Sequence, residues 1–251
     1  MPSSRKTPLL LPLLFVSHSA LAVDTGALYT DPAAIRVLLA AEVETTLSSK
    51  MGGTLDELHA SLGQTVDKGK LLAQFDCREG QARAKVTNAE LTMAKQNLEA
   101  KRQLRKLDAV GDLEVAMAAT EVEKADGARS MAQTQVSYCK VVAPFTGRIA
   151  KVHAKPHQTV SAGAPLFDLV GAGTLKVRMN VPSRLLTSLQ LGSPLQINIS
   201  ETGKDYAAKV SAINSRVDAV AQSVELEATL DAEHPELIAG MSGVARLADN
   251  P

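Results

Sequence analysis

Tryptophan is absent from this chain, and aromatic side chains make up only 3% of its 251 residues. Without flat rings there is no platform for stacking bases or sugars. The same scarcity fits an elongated protein with thin cores better than a compact enzyme. Neither sign of charge is in excess, because 27 Lys and Arg balance 27 Asp and Glu. A nucleic-acid partner needs a basic face, so that class is set aside. Beyond residue 22 no stretch approaches the roughly 18 apolar residues of a membrane span. Catalytic signatures are missing too: there is no G-x-S-x-G, no glycine-rich phosphate loop followed by Lys, and no grouping of nucleophile, His and Asp. The expectation is a protein that is not an enzyme and carries no cofactor.

What is present begins with an address. Arg5 and Lys6 precede the apolar run LLLPLLFVSHSALA, which ends in the small-residue site Ala20-Leu21-Ala22. That order reads as a signal peptide over residues 1–22, with Val23 as the mature start of an exported protein. No cysteine follows the cleavage site, so no lipid anchor is expected. Residues 23–34 are turn-rich and read as a leader. The two cysteines, Cys77 and Cys139, then belong to an oxidising compartment.

The strongest signal is an internal repeat. Gly53 to Phe75 returns 94 positions later as Gly147 to Leu169, with 8 of 23 positions identical, among them His59/His153, Gln64/Gln158 and Gly69/Gly163. Each copy reads as short strands between turns, too short to bury its own apolar face, so the two halves must pack together. Between them lies a helical insert. From Arg78 to Leu107 there is no proline, and Ala82, Val86, Ala89, Met93, Ala100, Leu104 and Leu107 recur at steps of three and four, with Gln96 filling the gap between Met93 and Ala100. These residues are the expected seam, and Leu91 and Leu98 lie off it, which leaves open an apolar face wider than a single seam. After a turn at Asp108–Gly111, Leu113, Val115, Ala118, Val122, Ala125, Ala132 and Val136 repeat in the same way. The pattern predicts an antiparallel coiled-coil hairpin over residues 77–139.

The motif G-x-[IV]-x-x-[LV]-x-x-x-x-G-x-x-V-x-x-G-x-x-L resembles half of a lipoyl/biotinyl-type β-sandwich. Two such halves split by a helical insert resemble the periplasmic adaptors, or membrane fusion proteins of the HlyD/RND type, of tripartite efflux systems. The second half is entered through Ala143-Pro144-x-x-Gly147, and Ala239-Gly240-Met241 matches the family's [PA]-G-M turn. The resemblance implies a mainly β fold with an inserted α-helical hairpin. Residues 35–47 would be a strand joining barrel to sandwich, 48–76 and 140–171 the split lipoyl-like domain (a barrel-sandwich hybrid), and 172–251 a C-terminal β-barrel. It further implies a non-catalytic adaptor linking an inner-membrane transporter, of RND or ABC type, to an outer-membrane channel. The homo-oligomer it implies is a hexameric ring. Nothing follows the barrel in this sequence, so a membrane-proximal domain is expected to be short or missing, and the hairpin is brief for the family. The rival expectation is an exported carrier that hands a metal ion or small molecule to a membrane partner.

Several residues stand out against plainer readings. In adaptors that dock on channels the hairpin tip carries Arg, Leu and Ser at set spacing. Matching the leucine to Leu104 puts Gly111 at the serine and Ala100 at the arginine, with Arg102 and Arg105 nearby. These arginines are either docking groups or a solvated helix face. Gln158 corresponds to a glutamine lining the pore in some relatives, or is an ordinary polar turn residue. His59, His153 and His157 invite a metal, but strand and turn spacing separates them, and surface roles with no metal are expected. Lys50-Met51 resembles a biotinylation signature, yet the hairpin occupies the place of the modified turn. Asp76 and Asp168 read as solvated strand ends rather than a catalytic pair. Cys77 and Cys139 stand at the two feet of the hairpin, and the midpoint between them falls at residue 108, inside the turn deduced from the helix pattern. A disulfide between them is expected, the alternative being two small thiols that merely pack.

Overall fold

The computed structural model describes residues 35–247. The signal-peptide and leader readings, and residues 248–251, lie outside the described residues.

Ile35–Ala41 (β1) buries Ile35, Val37, Leu39 and Ala41 and turns Arg36 and Leu38 outward. That period of two is what a strand with one buried face requires. The chain breaks at Glu42 and Val43, and Glu44–Ser48 (β2) begins in a different sheet. The strand expected over 35–47 is therefore two strands, because the chain must cross here from barrel to sandwich. Its return crossing lies alongside, where Gly171 N–H donates to the Val43 carbonyl at 2.8 Å.

Gly53–Leu58 (β3), Thr65–Val66 (β4) and Leu71–Phe75 (β5) precede the helices; Lys140–Val142 (β6), Gly147–Val152 (β7), Thr159–Val160 (β8) and Pro165–Gly171 (β9) follow them. They form two four-stranded sheets, β2-β9-β7-β4 and β6-β5-β3-β8. Each sheet borrows a strand from the other half of the repeat. β4 pairs with β7, setting Thr65 against Arg148 and Val66 against Gly147; β8 pairs with β3, setting Thr159 against Thr54 and Val160 against Gly53. Advancing by one repeat turns the first set of partners into the second. The turns obey the same rule: Gly63 N–H donates to Ile149 O and His157 N–H to Leu55 O, both at 2.8 Å. The enclosed core holds Leu55, Leu72, Phe75, Ile149, Leu166, Phe167 and Leu169, none more than 1% exposed. Burial of each such side chain contributes about 1.5–3 kcal/mol.

Arg78–Lys106 (α1) and Asp112–Ser137 (α2) form the inserted hairpin. In α2 the buried residues are Ala118, Ala125 and Ala132, with Val115, Val122, Arg129 and Val136 half-buried between them at steps of three and four. In α1 the seam is not the expected one. Leu91, Ala94 and Leu98 are buried, and Ala84, Thr87, Lys101 and Arg105 continue their spacing as half-buried residues. The stripe from Ala82 through Val86 and Met93 to Leu107 is exposed instead. Two apolar stripes run along α1, and the more continuous one points away from α2. Small and polar residues serve the seam because α2 presents alanines there and the backbones sit close.

Leu175–Pro182 (β10), Pro194–Ile199 (β11), Lys204–Asp218 (β12), Ser223–Leu230 (β13) and Ser242–Leu247 (β14) close with β1 into a barrel of order β1-β10-β13-β12-β11-β14. Closure leaves no unpaired sheet edge. Leu39, Val177, Ile197, Ile199 and Leu226 fill it, and Leu185 and Leu186 of the short 3-10 turn Ser183–Thr187 pack against that core. The Ala239-Gly240-Met241 turn folds onto β1, where Gly240 N–H donates to Leu39 O and Leu39 N–H to Met241 O.

Candidate functional site

The hairpin grows out of the sandwich between β5 and β6, which pair with each other. At this foot Cys77 and Cys139 form a disulfide with a Cα separation of 5.9 Å, and Phe75 N–H donates to the Cys139 carbonyl. One turn up, a methyl group on Gly80 would touch Cys77 Sγ at 3.4 Å and Val136 Cγ2 at 3.7 Å. The arms therefore meet tightly from their first turn. Asp76 locks the entry to α1: its carboxylate accepts from the Arg78 guanidinium and from Arg78 N–H. Those two bonds, the guanidinium's first, hold the Asp76 pKa down at about 2.

At the other end α1 stops because Asp108 adopts a left-handed conformation (φ 52°), one that Asp tolerates better than most residues. Arg105 then gathers the turn. Its Nε–H donates to Asp112 and its Nη1–H to Asp108, which raises the Arg105 pKa and lowers that of Asp112. Lys101 reaches across to Glu114. Arg105 thus organises the tip internally, whereas Arg102 is exposed. Gly111 is the residue before α2, with an extended backbone (φ −81°, ψ 162°). Around this ordered turn Leu104, Leu107 and Leu113 are exposed by 41%, 77% and 74%. An apolar cluster held on a salt-bridged frame is the most conspicuous surface of the hairpin.

The sandwich turns repeat one device. Gln64 Oε1 accepts from Ser61 N–H, and Gln158 Oε1 accepts from Lys155 N–H at 2.9 Å. Gln158 is exposed and spends its carbonyl on this turn. His157, the repeat partner of Gly63, takes the same left-handed conformation (φ 62° against 77°). The three histidines have separate settings, since His59 lies 3.2 Å from Glu57 and His153 lies 2.9 Å from Asp168. Lys50 sits over the Tyr138 ring, 5.6 Å from its centroid. Among the described residues no three of His, Cys, Asp and Glu gather to hold a metal. A cleft of about 620 Å³ between sandwich and barrel mixes Arg148, Glu233 and His234 with Leu175 and Ile238.

One cluster escaped the sequence reading. Asp168 on β9 accepts from Thr46 Oγ1 on β2 at 2.8 Å and from His153 Nε2 at the end of β7 at 2.9 Å, clasping three strands. The signal available was that Asp168 stands where the first copy has Gln74. The Thr46 hydroxyl does most to lower the Asp168 pKa; burial opposes it with a smaller effect, and the His153 bond adds a smaller lowering still. A carboxylate whose pKa is depressed by folding stabilises the fold above its unfolded pKa, and that stability drains away as pH falls through the folded one. Wild type should therefore exceed Asp168→Asn in urea midpoint at neutral pH, by at most about 1 kcal/mol for so accessible a group. The gap should close as pH drops below about 4, the ordinary carboxylate range. A gap unchanged across that range would remove the clasp from the account.

Comparison with known proteins places these features in a wider setting. The family model described as RND MFP, barrel-sandwich hybrid domain, matches residues 43–171. The nodulation protein NolF of Rhizobium meliloti (strain 1021) is 25% identical over 222 residues, covering 80% of this chain and 59% of NolF. The multidrug resistance protein MdtA of Pectobacterium carotovorum subsp. carotovorum (strain PC1) is 27% identical over 209 residues, covering 74% of this chain and 51% of MdtA. The chain thus spans between 51% and 59% of the length of these curated relatives. Among solved structures, a MacA-MexA chimeric protein carrying the Pseudomonas aeruginosa MexA α-hairpin domain superposes with a TM-score of 0.75 at 19% identity, covering 86% of this chain and 80% of the chimera. That likeness concerns the fold. No helix among the described residues is long and apolar enough to cross a membrane.

Proposed function

Because this chain belongs to the RND membrane fusion proteins, we propose that it acts without catalysis as a periplasmic adaptor, joining an inner-membrane transporter to an outer-membrane channel. One observation carries the reading. The hairpin is clamped at its foot by the interlocked sandwich and a disulfide, and its far end offers exposed leucines on an ordered turn. At 29 residues α1 is roughly 40 Å long, enough to hold that end well clear of the sandwich. In this proposal the hairpin works as an antiparallel coiled coil, and Leu104 with Arg102 enters the channel partner. Arg105 and Gly111 shape the turn that presents them. Copies assemble as a hexameric ring in which Gln158 turns its amide toward the central pore. The rival role, carrier of a metal or small molecule, is not favoured by the family to which the chain belongs.

The test is complementation. Loss of the gene should sensitise cells to at least one member of a panel of toxic compounds, and the wild-type gene should restore growth. Leu104→Asp, exported and folded by circular dichroism, should fail to restore it, because a carboxylate buried without a partner at the docking surface costs several kcal/mol. Full restoration by Leu104→Asp would remove the channel-docking role.

A further inference from the structure

The repeat measures what is unusual about the cleft between sandwich and barrel. Thr54 and Arg148 stand at equivalent positions of the two copies, as do Thr159 and Thr65. The cross-strand pair Thr54–Thr159 satisfies itself, hydroxyl to hydroxyl at 3.0 Å. Its counterpart is Arg148 with Thr65, and among the described residues neither side chain has a hydrogen-bonded or ionic partner. Both are exposed, and with Val170, which faces Arg148 from β9, they form one wall of the cleft. A self-contained polar row has thus become a guanidinium and a hydroxyl offered outward, where the sandwich borders the barrel.

The opposite wall is the connection from β13 to β14, and it is fastened from behind. Leu237 joins the barrel core. The His234 ring meets the Tyr206 ring edge-on, 4.7 Å between centroids. Glu236 accepts from Lys204 Nζ and from Tyr206 Oη, each at 3.4 Å. This leaves Glu233 and Ile238 exposed along the cleft. Glu233, like Arg148, has no side-chain partner among the described residues, and no ion pair joins the two. The floor is the crossing from β9 to β10. A methyl group on Gly173 there would meet nothing within 4 Å, and Leu175 adds an apolar surface. The volume of about 620 Å³ falls within the roughly 300–1,000 Å³ of small-molecule sites.

We infer that this cleft binds a small zwitterion with an apolar body, of the kind a short aliphatic peptide represents. Its carboxylate pairs with Arg148 and Thr65, its ammonium with Glu233, and its side chains lie on Val170, Leu175 and Ile238. A simple anion or cation fits less well, because either leaves the charge of one wall unanswered. Both walls are already held in place, so binding has little left to order. A ligand held in this way touches sandwich and barrel at once. The inference does not depend on the docking role proposed above, and none of these residues belongs to the hairpin.

Nuclear magnetic resonance titration of the exported protein tests it with three probes. Leucyl-leucine carries both charges, leucyl-leucinamide lacks the carboxylate, and N-acetyl-leucyl-leucine lacks the ammonium. Leucyl-leucine should bind saturably, and each capped form should bind at least about fivefold more weakly, as loss of one charge-assisted hydrogen bond in an open cleft requires. Arg148→Gln should abolish the preference for the free carboxylate while keeping that for the free ammonium. Glu233→Gln should do the reverse. Both residues are exposed, so the fold is spared. Absence of saturable binding by leucyl-leucine would overturn the proposal. So would variants that weaken all three probes alike, since neither residue would then be reading its own end of the ligand.

Discussion

Gly147→Ala should cost about 3 kcal/mol or more of unfolding free energy, or leave no folded protein to measure. A Cβ built on Gly147 lies 2.3 Å from the Val170 carbonyl oxygen and 3.0 Å from its carbon. Both are backbone atoms of the neighbouring strand β9, so no side chain can swing aside. The strand itself would have to retreat, and with it the ladder in which Gly147 faces Gly171 on one side and Val66 of the other half on the other. The repeat supplies its own control. Gly53 occupies the same place in the first copy, but there the nearest atom is Phe75 Cδ1 at 3.4 Å. Gly53→Ala should lose less than about 1 kcal/mol, since a ring edge can shift by a few tenths of an ångström. Urea unfolding of the two variants beside wild type provides the comparison. Equal losses would mean that the halves are packed alike and that the close approach at Gly147 is not what its glycine serves.

Removing the disulfide should have an effect of similar size by a different route. The bond joins residues 62 apart in sequence, and closing a loop of that length disfavours the unfolded chain by about 4 kcal/mol in the entropy model. Cys77→Ala and Cys139→Ala, singly or together, should each lower stability by that order, because either change opens the loop. Cys139, only 4% exposed, adds a small packing loss of its own. The loss should appear as a lower urea midpoint, and hydrogen exchange should accelerate at the feet of α1 and α2 more than in the barrel. A double variant within about 1 kcal/mol of wild type would show that the β5–β6 ladder alone fixes the foot. Titration of denatured, unreduced protein should find no free thiol.

How much of this was readable beforehand depends on how local each cause is. The repeat was visible because turn chemistry is local. A glycine with positive φ at Gly69 and again at Gly163, and a glutamine closing the turn beside it, leave their mark within a few residues. The pairing of Cys77 with Cys139 followed from counting to the fold-back, since an antiparallel hairpin has one register. The α1 seam was misread because periodicity measures where apolar residues are and not which face is covered. Leu91, Ala94 and Leu98 form the shorter stripe, and Thr87, Lys101 and Arg105 interrupt its character. The clasp of Thr46, Asp168 and His153 was out of reach, since Thr46 and Asp168 are 122 positions apart and meet only when β2 is laid against β9. The break between β1 and β2 was hidden for a related reason: the resemblance set residues 35–47 between barrel and sandwich, but nothing in a run of strand-forming residues marks where it divides.

The exchange of β4 and β8 between the halves has a consequence for size. Every contact that completes the sandwich is made by residues outside the hairpin, and the hairpin touches that arrangement only through its two feet. Removing seven residues from each arm would keep the feet facing each other and keep the seam in phase, because its steps of three and four repeat every seven. The far turn would come about 10 Å nearer, and no strand would have to notice. Arm length is therefore an adjustable spacer, set independently of the part that holds it.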